Sequence, residues 1–161
     1  MAESFIAVAF LAAGCLGVAA ESPGSAGPSA IDPTKPVEAR IEGELVCALE
    51  ELGARHDLRV PPVHQHLMAL RAPNGQLHLL VRNSTSEMLF SDARFHGKPL
   101  ALTGRSFGAG GLFEVSRTAW IRGERRFEAY YWCEVCSIDG VNPGPCACCQ
   151  GPVELRERPE R

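Results

Sequence analysis

Two Cys-x2-Cys pairs, Cys133/Cys136 and Cys146/Cys149, stand near the C-terminal end of this chain with nine residues between them, among them a Pro-Gly turn. A C-x2-C loop brings two sulfurs to one side of a tight turn. Two such loops facing each other supply four thiolates at tetrahedral corners, the arrangement that Zn2+ accepts. Three chemistries compete for the cluster. A closed structural Zn2+ site would fold a segment too small to have a core of its own. A labile site for Zn2+, Cu+ or another soft ion would use Cys148 as a spare donor. Disulfides, structural or exchanging, are the third, and an oxidising compartment would favour them. Haem attachment is excluded, because Ser137 and Gln150 follow the two pairs where C-x-x-C-H needs histidine.

The rest of the composition bounds the answer without naming it. At 161 residues the chain is one ordinary domain, or a small domain with an appendage. Its 45% hydrophobic and 22% charged residues are those of a chain that buries a core. The formal net charge is −3 and the basic residues are scattered, so the electrostatic footprint of a nucleic-acid binder is missing.

Phe5 to Ala20 is a run of sixteen apolar or small residues, short for a membrane span and suited to the hydrophobic region of a secretory signal. Val18-Ala19-Ala20 offers small residues at the cleavage positions, giving a signal over 1–20 and a mature chain from Glu21. Leu11-Ala12-Ala13-Gly14-Cys15 gives a rival expectation, a lipoprotein signal with Cys15 lipidated, although its Leu stands one place early. Glu3, with no Lys or Arg before the apolar run, departs from both patterns and leaves the start codon open. Residues 21–36 (ESPGSAGPSAIDPTKP) are too poor in apolar surface to order themselves and read as a flexible tether.

Residues 37–122 carry a β pattern. Ile41, Gly43, Leu45 and Cys47 share one face of a first strand, with Glu42 and Glu44 on the other. Ala48 to Arg55 makes a short helix or a wide loop, and Pro61-Pro62 breaks the chain before a strand over His66–Arg71. Pro73-Asn74-Gly75 is a strong hairpin turn. Leu77, Leu79 and Val81 follow it, then helical turns over Ser84–Phe90. Strands through Leu100 and Leu102 and from Leu112 to Arg117 flank a Gly-rich turn, Gly108 to Gly111. Five strands with one irregular excursion predict a mainly β fold, a small antiparallel barrel, closed or half closed.

Three stretches carry a resemblance: Glu42-Gly43-Glu44-Leu45-Val46, Asn74-Gly75-Gln76-Leu77-His78-Leu79-Leu80, and Gly97-Lys98-Pro99-Leu100-Ala101-Leu102-Thr103-Gly104. They resemble a bacterial group of exported domains related to the OB fold. The resemblance implies an OB-like barrel over 37–122, with a Cys-rich tail over 123–161, and it implies no activity. Tyr131-Trp132-Cys133-x2-Cys136, Pro143-Gly144-Pro145-Cys146-x2-Cys149 and Pro152-Val153-Glu154-Leu155 are similar to the short heavy-metal-binding, zinc-ribbon-like modules of bacterial efflux and periplasmic proteins. That likeness implies Cys133, Cys136, Cys146 and Cys149 as ligands, with Cys148 an alternative ligand or a free thiol. Glu134 and Ala147 stand where those modules carry proline, and Gln150 where they carry glycine.

Other candidates are weaker. His64-Gln65-His66 can chelate a metal but offers no third ligand from sequence, so two solvated histidines are expected. Cys47 is read as a small core residue, or as a partner for one C-terminal cysteine. Trp132 with Tyr130 and Tyr131 either covers the cysteines or packs on the barrel. Gly104-Arg105-Ser106-Phe107-Gly108 matches a nucleophile elbow in form only, because a Gly-rich hairpin follows and no histidine lies beyond His96. The expectation is an exported, periplasmic or envelope protein, either released or lipid-anchored, that binds a metal ion and an unknown protein partner but no nucleic acid. Enzymatic activity is not expected. Soft-metal sensing, buffering or transfer is the first alternative, and a thiol-disulfide redox role the second.

Overall fold

In the computed structural model, which describes residues 35–108 and 111–160, the chain becomes extended as soon as the Pro-rich stretch ends. The expected signal over 1–20, Cys15 within it, and the tether up to residue 34 lie outside the described residues. Strand β1 (Pro36–Cys47) alternates as its sequence requires, with Leu45 and Cys47 buried on the face away from Glu42 and Glu44. It serves two neighbours. Pro36 to Glu44 pair with β4 (Pro99–Phe107), and Glu44 to Cys47 pair with β2 (Met68–Arg71). At the handover, a Cβ on Gly43 would stand 2.1 Å from the Arg71 carbonyl oxygen, so only glycine lets the strands cross this closely.

Helix α1 (Ala48–His56) leaves the end of β1 directly, with Glu50 and Glu51 in its first turn and Arg55 and His56 in its last. The acidic first turn and Arg55 in the last complement the helix dipole. The chain then returns along β2 and turns at Pro73-Asn74-Gly75 into β3 (Leu77–Leu80). Gly75 takes the left-handed φ of 84° that this turn needs, and the Asn74 side chain accepts from the Gln76 N–H at 3.0 Å. The irregular excursion is α2 (Glu87–Ser91) and a 3-10 turn (Ala93–Phe95). Met88, Leu89 and Phe95 bring it into the core, where Phe95 stacks on Trp120 with ring centroids 4.5 Å apart.

Strand β4 pairs antiparallel with β5 (Leu112–Arg122), with a register shift at Thr103/Gly104. There a Cβ would meet the Glu114 carbonyl oxygen at 1.9 Å. Strand β3 also pairs with β5, in parallel, at Leu79↔Leu112 and Leu80↔Phe113. The pairings therefore run β1–β2–β3–β5–β4 and back to β1. Leu45, Leu70, Leu102, Phe113 and Val115 form the centre of the buried cluster.

Strand β6 (Arg125–Cys133) continues the sheet through its pairing with β5. Further along it pairs with β7 (Ile138–Gly140) at Tyr131–Cys133, and over Phe127–Trp132 with β8 (Glu154–Pro159). The fold is thus mainly β, an eight-stranded sheet whose pairs are antiparallel except β3–β5, with the Cys-rich segment woven into its C-terminal strands. Among the described residues no helix is long and apolar enough to cross a membrane.

Candidate metal centre

Alternation along β6 puts Ala129, Tyr131 and Cys133 on one buried face. Cys133 is the last residue of that strand, and the chain folds back at once. The Ser137 N–H donates to the Cys133 carbonyl at 2.8 Å, and Ser137 takes a left-handed φ of 53°. Cys136 lies inside this turn. Thirteen positions on, the same turn recurs: the Gln150 N–H donates to the Cys146 carbonyl at 2.9 Å, with Gln150 at φ 59°. Each knuckle thus closes on the residue after its second cysteine, in the left-handed conformation. The glycine missing at position 150 does not abolish the turn. Gln150 adopts the conformation instead, at a local cost of roughly 1–2 kcal/mol.

The second knuckle is brought to the first by the strand that follows it. β8 begins at Glu154, opposite Trp132, so Cys149 is carried back beside Cys133. Their Sγ atoms are 3.6 Å apart, and the sulfurs of Cys133, Cys136, Cys146 and Cys149 all lie within 4.8 Å of one another. Four sulfurs held about 2.3 Å from one Zn2+ stand ~3.8 Å apart along each edge of a tetrahedron. The spacing fits.

The backbone is also arranged for thiolates. The Cys148 N–H points at Cys146 Sγ and the Gly151 N–H at Cys149 Sγ, each at 3.4 Å. Backbone N–H groups of Cys149 and Cys148 lead in holding the Cys146 thiol down to about 7. The proton is correspondingly hard to remove from Cys136, whose sulfur faces Cys148 and Cys149 first and the other thiols after them. Four thiols in one cluster cannot all ionise unaided, because each new negative charge meets the last. A soft divalent cation removes that conflict, and the donor set and spacing match one.

Cys133 and Cys146 are buried, Cys136 is half-buried, and Cys149 is exposed. Cys148, expected as an alternative ligand or a free thiol, is a free, exposed thiol outside the set of four, contributing its backbone N–H to Cys146. The aromatic residues divide their work. Tyr131 is buried in the core and donates its hydroxyl to Asp92 Oδ2 at 2.5 Å, while Trp132 lies under the Arg156 guanidinium, 5.6 Å from its ring centroid. Arg156 also pairs with Glu134 in the first knuckle and Glu154 in β8, clamping the two segments together. Spacing along the chain does not reveal that clamp, since Arg156 and Glu134 are 22 positions apart.

Cys47 is a free thiol, as are the other cysteines of the described residues. It is buried, as the reading of a small core residue has it, and the alternative pairing with a C-terminal cysteine is not found. Its neighbour is His64, with Sγ 3.5 Å from Nε2. Burial acts to raise the Cys47 thiol, but the Glu50 backbone N–H and the imidazoles of His66 and His64 outweigh it and hold the group at about 7. His64 and His66, expected as solvated residues, accordingly meet Cys47 at the end of β1. Gly104 to Phe107 lie within β4, and the next strand, β5, begins at Leu112, whereas a nucleophile elbow needs a turn from strand into α-helix.

No known protein family matches the chain, and neither a curated protein nor a solved structure is significantly similar to it. The site must be understood from its own geometry.

Proposed function

We propose that this protein is a non-enzymatic binding or interaction module that holds one Zn2+ on Cys133, Cys136, Cys146 and Cys149. The observation that carries the reading is the repeated knuckle: two turns of the same hydrogen-bond pattern, each ending in a left-handed residue, converge four sulfurs at tetrahedral spacing. Such a zinc-ribbon-like site supplies cross-linking rather than catalysis, since all four positions around the ion are taken by protein. The circuit of pairings through β1, β2, β3, β5 and β4 supports an OB-like barrel as the body to which the site is attached.

The apolar run Phe5–Ala20 and the tether after it extend the proposal to an exported protein of the bacterial cell envelope, released after Ala20 or held through lipidated Cys15. Its partner is then another protein rather than nucleic acid. Many of the arginines that phosphate contacts would need pair with carboxylates instead, among them Arg126 with Glu42 and Arg158 with Glu128 and Asp139. A second reading, exchange or buffering of a soft ion, is favoured by the exposure of Cys149 beside the free thiol of Cys148, which gives an incoming acceptor a place to begin. A thiol-disulfide role for Cys146 and Cys149 ranks below both, because four sulfurs converge rather than two.

The test is elemental analysis of the purified chain with a free-thiol count. One equivalent of Zn2+ should disappear in the double variant Cys133→Ser, Cys146→Ser. Unchanged metal content would show that the ligand set is wrong, and exchange with a chelator within minutes would move the reading to metal handling.

A further inference from the structure

A second convergence of metal-binding side chains lies away from the knuckles, built from residues that are distant in sequence. Cys47 ends β1 and directly precedes α1, so the first turn of the helix brings Glu50 back over it. The register Cys47↔Met68, reinforced by the Ala48 N–H donating to the Leu67 carbonyl at 2.7 Å, runs the segment before β2 alongside. That segment carries His64 and His66. Sγ of Cys47, a carboxylate oxygen of Glu50 and one ring nitrogen from each histidine all lie within 4.8 Å of one another. Glu50 Oε1 stands 3.5 Å from His64 Nε2 and 3.8 Å from His66 Nδ1.

The orientation of His64 is an independent sign. Its Nδ1 is 2.9 Å from the Pro61 carbonyl oxygen, an acceptor only, so Nδ1 carries the proton. The lone pair of the neutral ring is then on Nε2, the atom that faces Cys47 and Glu50. Metal-binding histidines are held in this way, with the second ring nitrogen donating to a backbone carbonyl. His64 is also largely covered, with 11% of its side chain exposed, whereas His66 and Glu50 are about half exposed, at 52% and 57%. The site has one wall in the core and one open to solvent. Beside it lies a cleft of about 310 Å³ lined by Cys47, Glu50, His66, Met68, His96 and Gly97.

We propose that Cys47, Glu50, His64 and His66 form a second metal site, which takes a divalent transition-metal ion of the Zn2+ type through one thiolate, two imidazoles and one carboxylate. The mixed donors separate it from the all-sulfur site: nitrogen and oxygen ligands suit Zn2+ and Co2+, while four thiolates also accept Cu+. The proposal does not depend on what the knuckles bind.

The experiment is stoichiometric loading of the full chain with Zn2+, and separately with Co2+, whose thiolate charge-transfer absorption counts coordinated sulfurs. The wild type should bind two equivalents. His66→Gln and Cys47→Ser should each retain one, with the Co2+ spectrum of a four-thiolate site. Cys133→Ser, Cys146→Ser should also retain one, with the weaker charge-transfer band of a single thiolate. The two sites are thereby judged separately. Because His66 is half exposed, His66→Gln leaves the core intact, and an unchanged melting temperature of the metal-free protein checks this. One equivalent in the wild type, unaffected by His66→Gln, would overturn the proposal.

Discussion

The Tyr131 hydroxyl donates to Asp92 Oδ2 at 2.5 Å, across 39 positions of sequence. Tyr131 belongs to β6, two residues before Cys133, and Asp92 opens the 3-10 turn that packs Phe95 into the core. One hydrogen bond therefore ties the strand that leads to the four-cysteine cluster to the irregular excursion packed into the same core. The same carboxylate accepts from the Arg94 side chain, including a contact of 2.5 Å. The pair is nearly closed to water: Tyr131 is 2% exposed and the Asp92 side chain 8%.

Replacing Tyr131 by Phe keeps the ring and removes the donor. A hydrogen bond to a charged group contributes about 1.5–3 kcal/mol, so Tyr131→Phe should lower stability by roughly 2 kcal/mol. The denaturation midpoint should fall with no change in the denaturant slope.

Acid should act on Asp92. The Arg94 guanidinium, together with the Tyr131 hydroxyl, outweighs burial and holds its carboxyl at about 2, below the ordinary 3.8. The group is depressed in the folded protein, so its contribution is complete above pH 4 and is lost as pH falls from about 4 toward 2. Stability measured across that window should decline in the wild type and decline less steeply in Asp92→Asn.

The left-handed residues of the knuckles make a separate claim. Glycine reaches φ 59° without the strain that Gln150 carries there. Gln150→Gly should therefore stabilise the metal-loaded protein by about 1 kcal/mol, and thermal unfolding of the two forms at saturating Zn2+ measures it. A loss of stability would mean that the Gln150 side chain contributes more than its backbone costs.

Glycine has the opposite meaning in β4. A methyl group at Gly104 would collide with the Glu114 carbonyl at 1.9 Å, and that atom is backbone held in a strand. Gly104→Ala should cost about 3 kcal/mol, within the range of large single-site effects. The reduced midpoint should come with a disturbed β4–β5 register, visible in amide exchange at Thr103 and Val115.

Much of this was legible in the residues. The Asn74-Gly75 turn, the alternation through Leu45 and Cys47, and the excursion between β3 and β4 all follow from local preference, which short-range physics decides. The sulfur cluster was legible for the same reason, since a C-x2-C spacing defines its own loop. What escaped was long-range. His64 and His66 lacked further ligands only because Cys47 and Glu50 reach them through the β1–β2 register and the first turn of α1, and spacing along the chain encodes neither. Cys47 looked like an ordinary core residue for want of the same information. The Arg156 clamp on Glu134 and Glu154 depends on β8 returning to β6, a choice made by packing rather than by sequence pattern.

Strand β6 has its own consequence. Ala129, Tyr131 and Cys133 follow one another on a single buried face, so nothing flexible separates the packed interior from the sulfur that anchors the cluster. An ion that prefers the native arrangement then stabilises the whole sheet by mass action, by about 4 kcal/mol when its free concentration is a thousand times its dissociation constant. With such an ion bound at the four sulfurs, the melting temperature would rise with the metal available. A chain starved of it would be the one that proteases remove first.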